Sequence, residues 1–140
     1  MRIYGREANG DSCGVAGGFA MHIVLLLYLI EGVVFGILAF VLKKKRSNYP
    51  DFTVGYHDSR LMDSAEKWNY ANHLAGNLSG IFAAVFFAVS ALLYCAKTSN
   101  AKALVLFFIL SAIAIGGTLL LPIWLSKLKF GDPNGSMKRH

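Results

Sequence analysis

The chain has 140 residues, of which 55% are hydrophobic and only 16% are charged, and its formal net charge is +6. This composition is typical of an integral membrane protein with a single domain. The basic residues lie at the ends of apolar segments, where they contact anionic lipid and influence topology. We therefore expect no direct binding of nucleic acid despite the positive charge.

Three long apolar segments determine the expected fold class. They cover residues 21–42, 74–95 and 103–125. A hydrocarbon core of about 30 Å is crossed by roughly 20 residues of helix, so each segment is long enough to span a bilayer. The sequence predicts an all-α membrane protein with three transmembrane helices in a small bundle and a cytoplasmic amphipathic loop before the second helix.

The two ends of the chain differ from this membrane domain in composition. Residues 1–20 are polar, rich in glycine and without periodicity, which predicts a disordered external tail or a misannotated start. Residues 21–129 form the expected three-span membrane domain. Residues 130–140 contain glycine and proline and predict a flexible cytoplasmic tail.

The distribution of lysine and arginine predicts the orientation. Three spans place the amino terminus and the second loop on one side, with four basic residues, and the first loop and carboxyl terminus on the other, with ten. The positive-inside rule makes the second side cytoplasmic. We expect a multi-pass protein of the bacterial cell membrane with its amino terminus outside and its carboxyl terminus in the cytoplasm.

The first loop, residues 43–73, contains a helix start. Asp63 and Glu66 have the spacing of an N-cap and capping box, so we expect a helix to begin near Ser64 and to continue into the second span. Trp68 and Tyr70 suit the membrane interface. One face of this helix would carry Trp68, Ala71, Asn72, Ala75 and Gly76.

The most specific stretch of the loop is residues 54–76. Gly55 and Tyr56 suit a turn that approaches the bilayer, and His57, Asp58 and Arg60 form a small charged cluster. The residues themselves indicate only a structured, amphipathic loop. This stretch also resembles the signature of the SdpI family of bacterial membrane immunity proteins, and one span before it and two after it match the family layout. The matching positions are Gly55, Tyr56, Met62, Ser64, Glu66, Trp68, Ala71, Asn72 and Gly76.

Four positions depart from that signature. His57 stands where the family usually has arginine, Asp58 where it has threonine, Asp63 where it has lysine, and Asn77 where lysine is common. A fixed positive charge at the turn is thereby replaced by a titratable one. If the family's activity depends on that cation, this chain is either tuned differently or has lost the activity.

The resemblance implies protection of the cell against a secreted, membrane-acting peptide toxin. It also implies capture of a soluble cytoplasmic repressor at the membrane once toxin is bound. His57 and the nine matching positions would then form the site that binds these partners. The alternative is that the motif only anchors the bundle where the second helix enters the membrane.

Polar residues within the spans are the other candidates for function. Glu31 lies near the middle of the first span, where an ionised carboxylate is costly. If the midpoints of the first and third spans lie at the same depth in the bilayer, Thr118 lies close to the level of Glu31, which predicts a hydrogen bond between them. Glu31 would either hold helices together or relay protons. The histidines show no metal-ligand spacing, so we expect no metal and no cofactor.

Pairs of glycines indicate where helices approach closely. Gly32 and Gly36 in the first span, and Gly76 and Gly80 in the second, have the small-xxx-small spacing of packed membrane helices. We expect the first two helices to pack through these faces. Whether the chain forms a homodimer is left open by the sequence.

No nucleophile–base pair, phosphate-binding loop or pair of carboxylates suggests catalysis, so we expect a protein that is not an enzyme. Two further interpretations compete with an immunity protein. One is a small proton-coupled exporter that uses Glu31. The other is a structural subunit of a membrane complex.

Overall fold

The computed structural model describes residues 12–131, with side chains from residue 22 onward, and contains three long helices and no strand within that range. Helix α1 spans Ser12–Phe40 and continues as a π-helical turn, Val41–Lys45. Helix α2 spans Ala65–Ala96 and α3 spans Asn100–Phe130. The predicted all-α, three-helix bundle is confirmed.

All three helices are long and apolar enough to cross a membrane, with qualifying lengths of 24, 32 and 31 residues. Large apolar side chains point away from the bundle, including Ile37 at 59%, Leu92 at 68% and Leu120 at 66% exposure. A water-soluble monomer rarely exposes so much contiguous apolar surface, whereas lipid solvates it. These features indicate a membrane-embedded, multi-pass protein.

Aromatic rings fill the centre of the bundle. Phe35 of α1 stacks on Phe86 of α2 with 5.8 Å between ring centroids, and Tyr28 meets Phe107 of α3 edge to face at 5.2 Å. The Tyr28 hydroxyl donates a hydrogen bond of 2.8 Å to the carbonyl oxygen of Ala103. This buried contact sets the register of α1 and α3, which run in the same direction.

Helix α2 begins where the sequence predicts, but with a different cap. Ser64 is the N-cap, and its Oγ accepts from the backbone N–H of Lys67 at 3.3 Å. Asp63 instead forms an ion pair of 2.7 Å with the Lys67 ammonium. The Ser64 hydroxyl therefore caps the helix. The Asp63 carboxylate, one residue earlier, pairs instead with Lys67 across one helical turn.

The face of α2 that was predicted to carry Trp68, Ala71, Asn72, Ala75 and Gly76 is buried in the structure. The Trp68 side chain is 0% exposed because the preceding loop folds back over it. Tyr70 is half-buried, and the Lys129 ammonium lies 4.4 Å from its ring centroid.

Three of the four predicted packing glycines lie between α1 and α2. A Cβ atom on Gly32 would meet the Phe87 ring at 3.2 Å, one on Gly76 would meet Lys43 Cγ at 2.9 Å, and one on Gly80 would contact Ala39 at 3.8 Å. Gly36 is different, because nothing lies within 4 Å of its Cβ position.

Helix α1 begins at Ser12, so it includes part of the segment 1–20 that was expected to be a disordered tail or a misannotated start. Helix α3 ends at Phe130 with Gly131 as its C-cap. The rest of both predicted tails, residues 1–11 and 132–140, lies outside the described residues.

Candidate functional site

The residues of the loop motif converge at one end of the bundle, which we term the loop end. Five of them form a continuous set of contacts that we term the loop site: Gly55, Tyr56, His57, Trp68 and Asn72. The opposite end, where α2 turns into α3 at residues 97–99, is the turn end.

Trp68 lies at the centre of the loop site. Its indole N–H donates a hydrogen bond of 3.0 Å to the carbonyl oxygen of Ser47. The rings of Phe52 and His57 pack edge to face against it, with centroid separations of 5.0 and 6.0 Å. The loop before α2 is therefore wrapped around a tryptophan supplied by α2, which explains why the side chain is buried.

Gly55 allows the loop to approach α2 this closely. Its φ of +153° is a conformation that favours glycine, and a Cβ atom would lie 2.6 Å from Trp68 Cζ2 and 2.7 Å from Asn72 Oδ1. No side chain fits in that space. The glycine of the motif is therefore required by the tryptophan and the asparagine that follow it.

Asn72 links the turn to α2 through both polar atoms of its amide. Its Oδ1 accepts from the backbone N–H of Tyr56 at 2.7 Å, and its Nδ2 donates to the carbonyl oxygen of Trp68 at 2.8 Å. The side chain is 0% exposed. A buried amide that is paired at both ends fixes the position of the turn.

Tyr56 extends the loop site to the third helix. Its hydroxyl donates to the carbonyl oxygen of Leu119, three residues before Pro122, which lies inside α3. Proline disturbs the hydrogen bonding of the preceding helical turn, so an external donor is useful there. Burial and the nearby Asp58 carboxylate raise the pKa of Tyr56, while Arg60 acts in the opposite direction, and the phenol remains a donor.

His57 is exposed, and both of its ring nitrogens face backbone carbonyl oxygens. Nδ1 lies 2.7 Å from the oxygen of Gly55, and Nε2 contacts that of Phe52. A carbonyl oxygen only accepts, and a neutral imidazole has one N–H. The neutral ring therefore satisfies one of these contacts, whereas the doubly protonated ring satisfies both.

Asp58 and Arg60 form the charged edge of the turn. The Arg60 guanidinium donates from Nε and Nη2 to the two carboxylate oxygens at 2.9 and 2.8 Å, and the Arg60 backbone N–H donates to Oδ1 at 3.0 Å. The hydrogen bond from the guanidinium is the main cause that lowers the pKa of Asp58. The carboxylate is therefore charged at neutral pH.

The other motif residues lie beside the loop site rather than in it. Met62 is half-buried, Glu66 is exposed, and Ala71 and Gly76 are buried along the same face of α2. Ser64 caps that helix. The motif thus contains a buried scaffold and an exposed surface to which His57 and Glu66 belong.

The predicted hydrogen bond between Glu31 and Thr118 is absent, and the prediction is wrong. Thr118 Oγ1 is buried without a partner, and Glu31 is half-buried and forms no hydrogen bond or ion pair with any described residue. The contact of Tyr28 with Ala103 explains the error. It places Glu31 level with about residue 106 of α3, roughly 18 Å from Thr118 along the axis at 1.5 Å per residue.

Sequence reasoning missed three partners of the loop site, Ser47, Phe52 and Leu119, and the burial of Leu61 in the same loop. Ser47 and Leu119 contribute backbone carbonyl oxygens, for which a sequence carries no signal. Phe52 and Leu61 are large apolar residues within a polar loop, and this was the available sign that the loop has a small core. Within the described residues, no group of His, Cys, Asp and Glu could hold a metal ion.

Comparison of the chain with family models, with curated proteins and with solved structures finds no match.

Proposed function

We propose that this chain is a membrane immunity protein that protects a bacterial cell from a secreted, membrane-acting peptide toxin, with the loop site at its functional surface. The support is the mutual dependence of the residues that carry the SdpI resemblance. Gly55 is required by Trp68 and Asn72, and Asn72 in turn holds Tyr56. The signature thus corresponds to one folded unit.

The buried and exposed residues of this unit have different roles in the proposal. Trp68, Asn72 and Gly55 form the scaffold, and they act by holding the turn in place. His57 and Glu66 are exposed and available to a partner. Toxin bound in the membrane, and a soluble repressor captured afterwards, would meet this exposed surface on the cytoplasmic side.

The proton-coupled exporter is the alternative, and nothing in the structure favours it. A relay through Glu31 needs a sequence of polar groups that accept and release the proton. Glu31 has no hydrogen-bond partner among the described residues, and the neighbouring Gly32 packs against the ring of Phe87 and the Cβ atom of Phe86.

Survival of a toxin-sensitive bacterium tests the proposal. Cells that express the chain are challenged with a panel of secreted peptide toxins that act on membranes. We expect protection with the native chain and with Glu31→Gln, and loss of protection with Trp68→Ala at equal membrane abundance. Export predicts the reverse, because only the Glu31 variant would then be inactive. Absence of protection against every toxin would contradict the immunity function.

A further inference from the structure

A groove lies between α1 and α3, directly beneath the turn of the loop site. Its volume is about 420 Å³, with walls from Leu38 and Leu42 of α1 and from Leu119 and Ile123 of α3. A second groove of about 410 Å³ continues along α3, and Leu120 and Ile123 line both. We term the two together the α3 groove.

Cations line the other end of the α3 groove. Arg60 and Lys127 are both there, together with Trp124, which is 57% exposed and suits a membrane interface. Asp58 uses only Nε and Nη2 of Arg60, whose side chain is 51% exposed. The Nη1 amino group is therefore available, and a guanidinium matches the oxygens of a phosphate.

We propose that the α3 groove binds a phospholipid with an anionic headgroup, taken from the surrounding bilayer. The phosphate lies against Arg60 and Lys127, and one acyl chain follows Leu120 and Ile123 towards α1. Charge favours an anionic lipid over a zwitterionic one, because the basic run Lys43, Lys44, Lys45 and Arg46 adds to the positive charge at the loop end. The inference does not rest on the proposed immunity function, but Gly55, Tyr56, His57 and Asp58 of the turn also line the groove, so a lipid bound there lies against the loop site.

Native mass spectrometry of the full chain in detergent tests the proposal, with phosphatidylglycerol and phosphatidylcholine of identical acyl chains as probes. We expect the native chain to retain phosphatidylglycerol more tightly. Arg60→Gln should weaken that binding about fivefold, as expected from the loss of one cation near a charged headgroup. Phosphatidylcholine binding should fall by less, because its choline cation offsets the charge of the phosphate that both lipids carry.

Two controls separate a specific site from general attraction. Lys102→Gln removes the same charge at the turn end and should leave phosphatidylglycerol binding unchanged. The double variant Asp58→Asn with Arg60→Gln keeps the native net charge and should still bind weakly.

Equal affinity of the native chain for the two lipids would overturn the proposal. So would equal losses in Arg60→Gln and Lys102→Gln, which would show diffuse attraction. A peptide or a second copy of the chain retained in place of lipid would also contradict it.

Discussion

The backbone N–H of Tyr56 donates to Oδ1 of Asn72 across 2.7 Å, and this bond joins the turn before α2 to the buried face of α2. The two residues are sixteen positions apart in the chain. Because the Asn72 amide also donates to the carbonyl oxygen of Trp68, neither group can move without breaking a buried hydrogen bond. The turn and the helix therefore form one unit.

Replacing Asn72 with leucine should destabilise the protein. The Tyr56 N–H and the Trp68 carbonyl oxygen would lose their side-chain partner, which costs about 1–3 kcal/mol for a buried group. Thermal unfolding in detergent, followed by circular dichroism, measures the loss. Asn69→Leu is the matched control, because Asn69 is exposed on the same helix, and its variant should unfold like the native chain. Equal unfolding temperatures of the Asn72→Leu and Asn69→Leu variants would contradict this prediction.

Gly55→Ala should have a large effect. Its Cβ atom would lie 2.6 Å from Trp68, and the backbone conformation alone costs about 1–3 kcal/mol for a residue other than glycine. We expect a lower unfolding temperature and red-shifted tryptophan emission as water reaches Trp68. Gly36→Ala is the control, because nothing lies within 4 Å of its Cβ position. That variant should be unchanged or slightly more stable.

Tyr56→Phe should loosen α3 locally. The change removes only the hydroxyl that donates to Leu119, with an expected loss of about 0.5–1.5 kcal/mol. Hydrogen exchange should become faster in the segment around Pro122 and remain unchanged at the turn end. Tyr94→Phe serves for comparison, since Tyr94 is 66% exposed at that opposite end. Unchanged exchange near Pro122 would show that the hydroxyl does not support the helix.

The ion pair of Asp58 with Arg60 should make the turn sensitive to acid. The pKa of Asp58 is lowered in the folded protein from its ordinary value of 3.8. Its contribution to stability is therefore complete above about pH 4 and is lost as pH falls through the lower, folded-state value. Tryptophan fluorescence of a Trp124→Phe variant, which reports on Trp68 alone, should show a transition below about pH 4. Adding Asp58→Asn should remove the part of this transition that is caused by protonation of Asp58.

The sequence predicted local features well, because they depend on periodicity and capping. The start of α2 near Ser64 and its buried face both follow from residues within two helical turns. Contacts between distant segments were not predictable in the same way. Trp68 was expected at the interface, since nothing in the sequence shows that the carbonyl oxygen of Ser47 accepts from its indole.

Glu31 and Thr118 illustrate the limit of comparing span midpoints. The two residues lie at similar depth if each apolar segment is centred in the bilayer. The helices are instead aligned by a specific contact, Tyr28 with Ala103, and by the aromatic packing around it. A register set by side-chain packing cannot be obtained from segment lengths alone.

Survival under toxin challenge, with variants that keep the scaffold intact, tests the central claim most directly. Glu66→Gln and His57→Ala change the exposed surface of the motif, and Lys102→Gln changes an exposed residue at the turn end. Each variant is first checked for native membrane abundance and native unfolding temperature. The account predicts that Glu66→Gln or His57→Ala abolishes protection while Lys102→Gln retains it. Full protection by both loop variants would contradict the account and would reduce the motif to an anchor for the bundle.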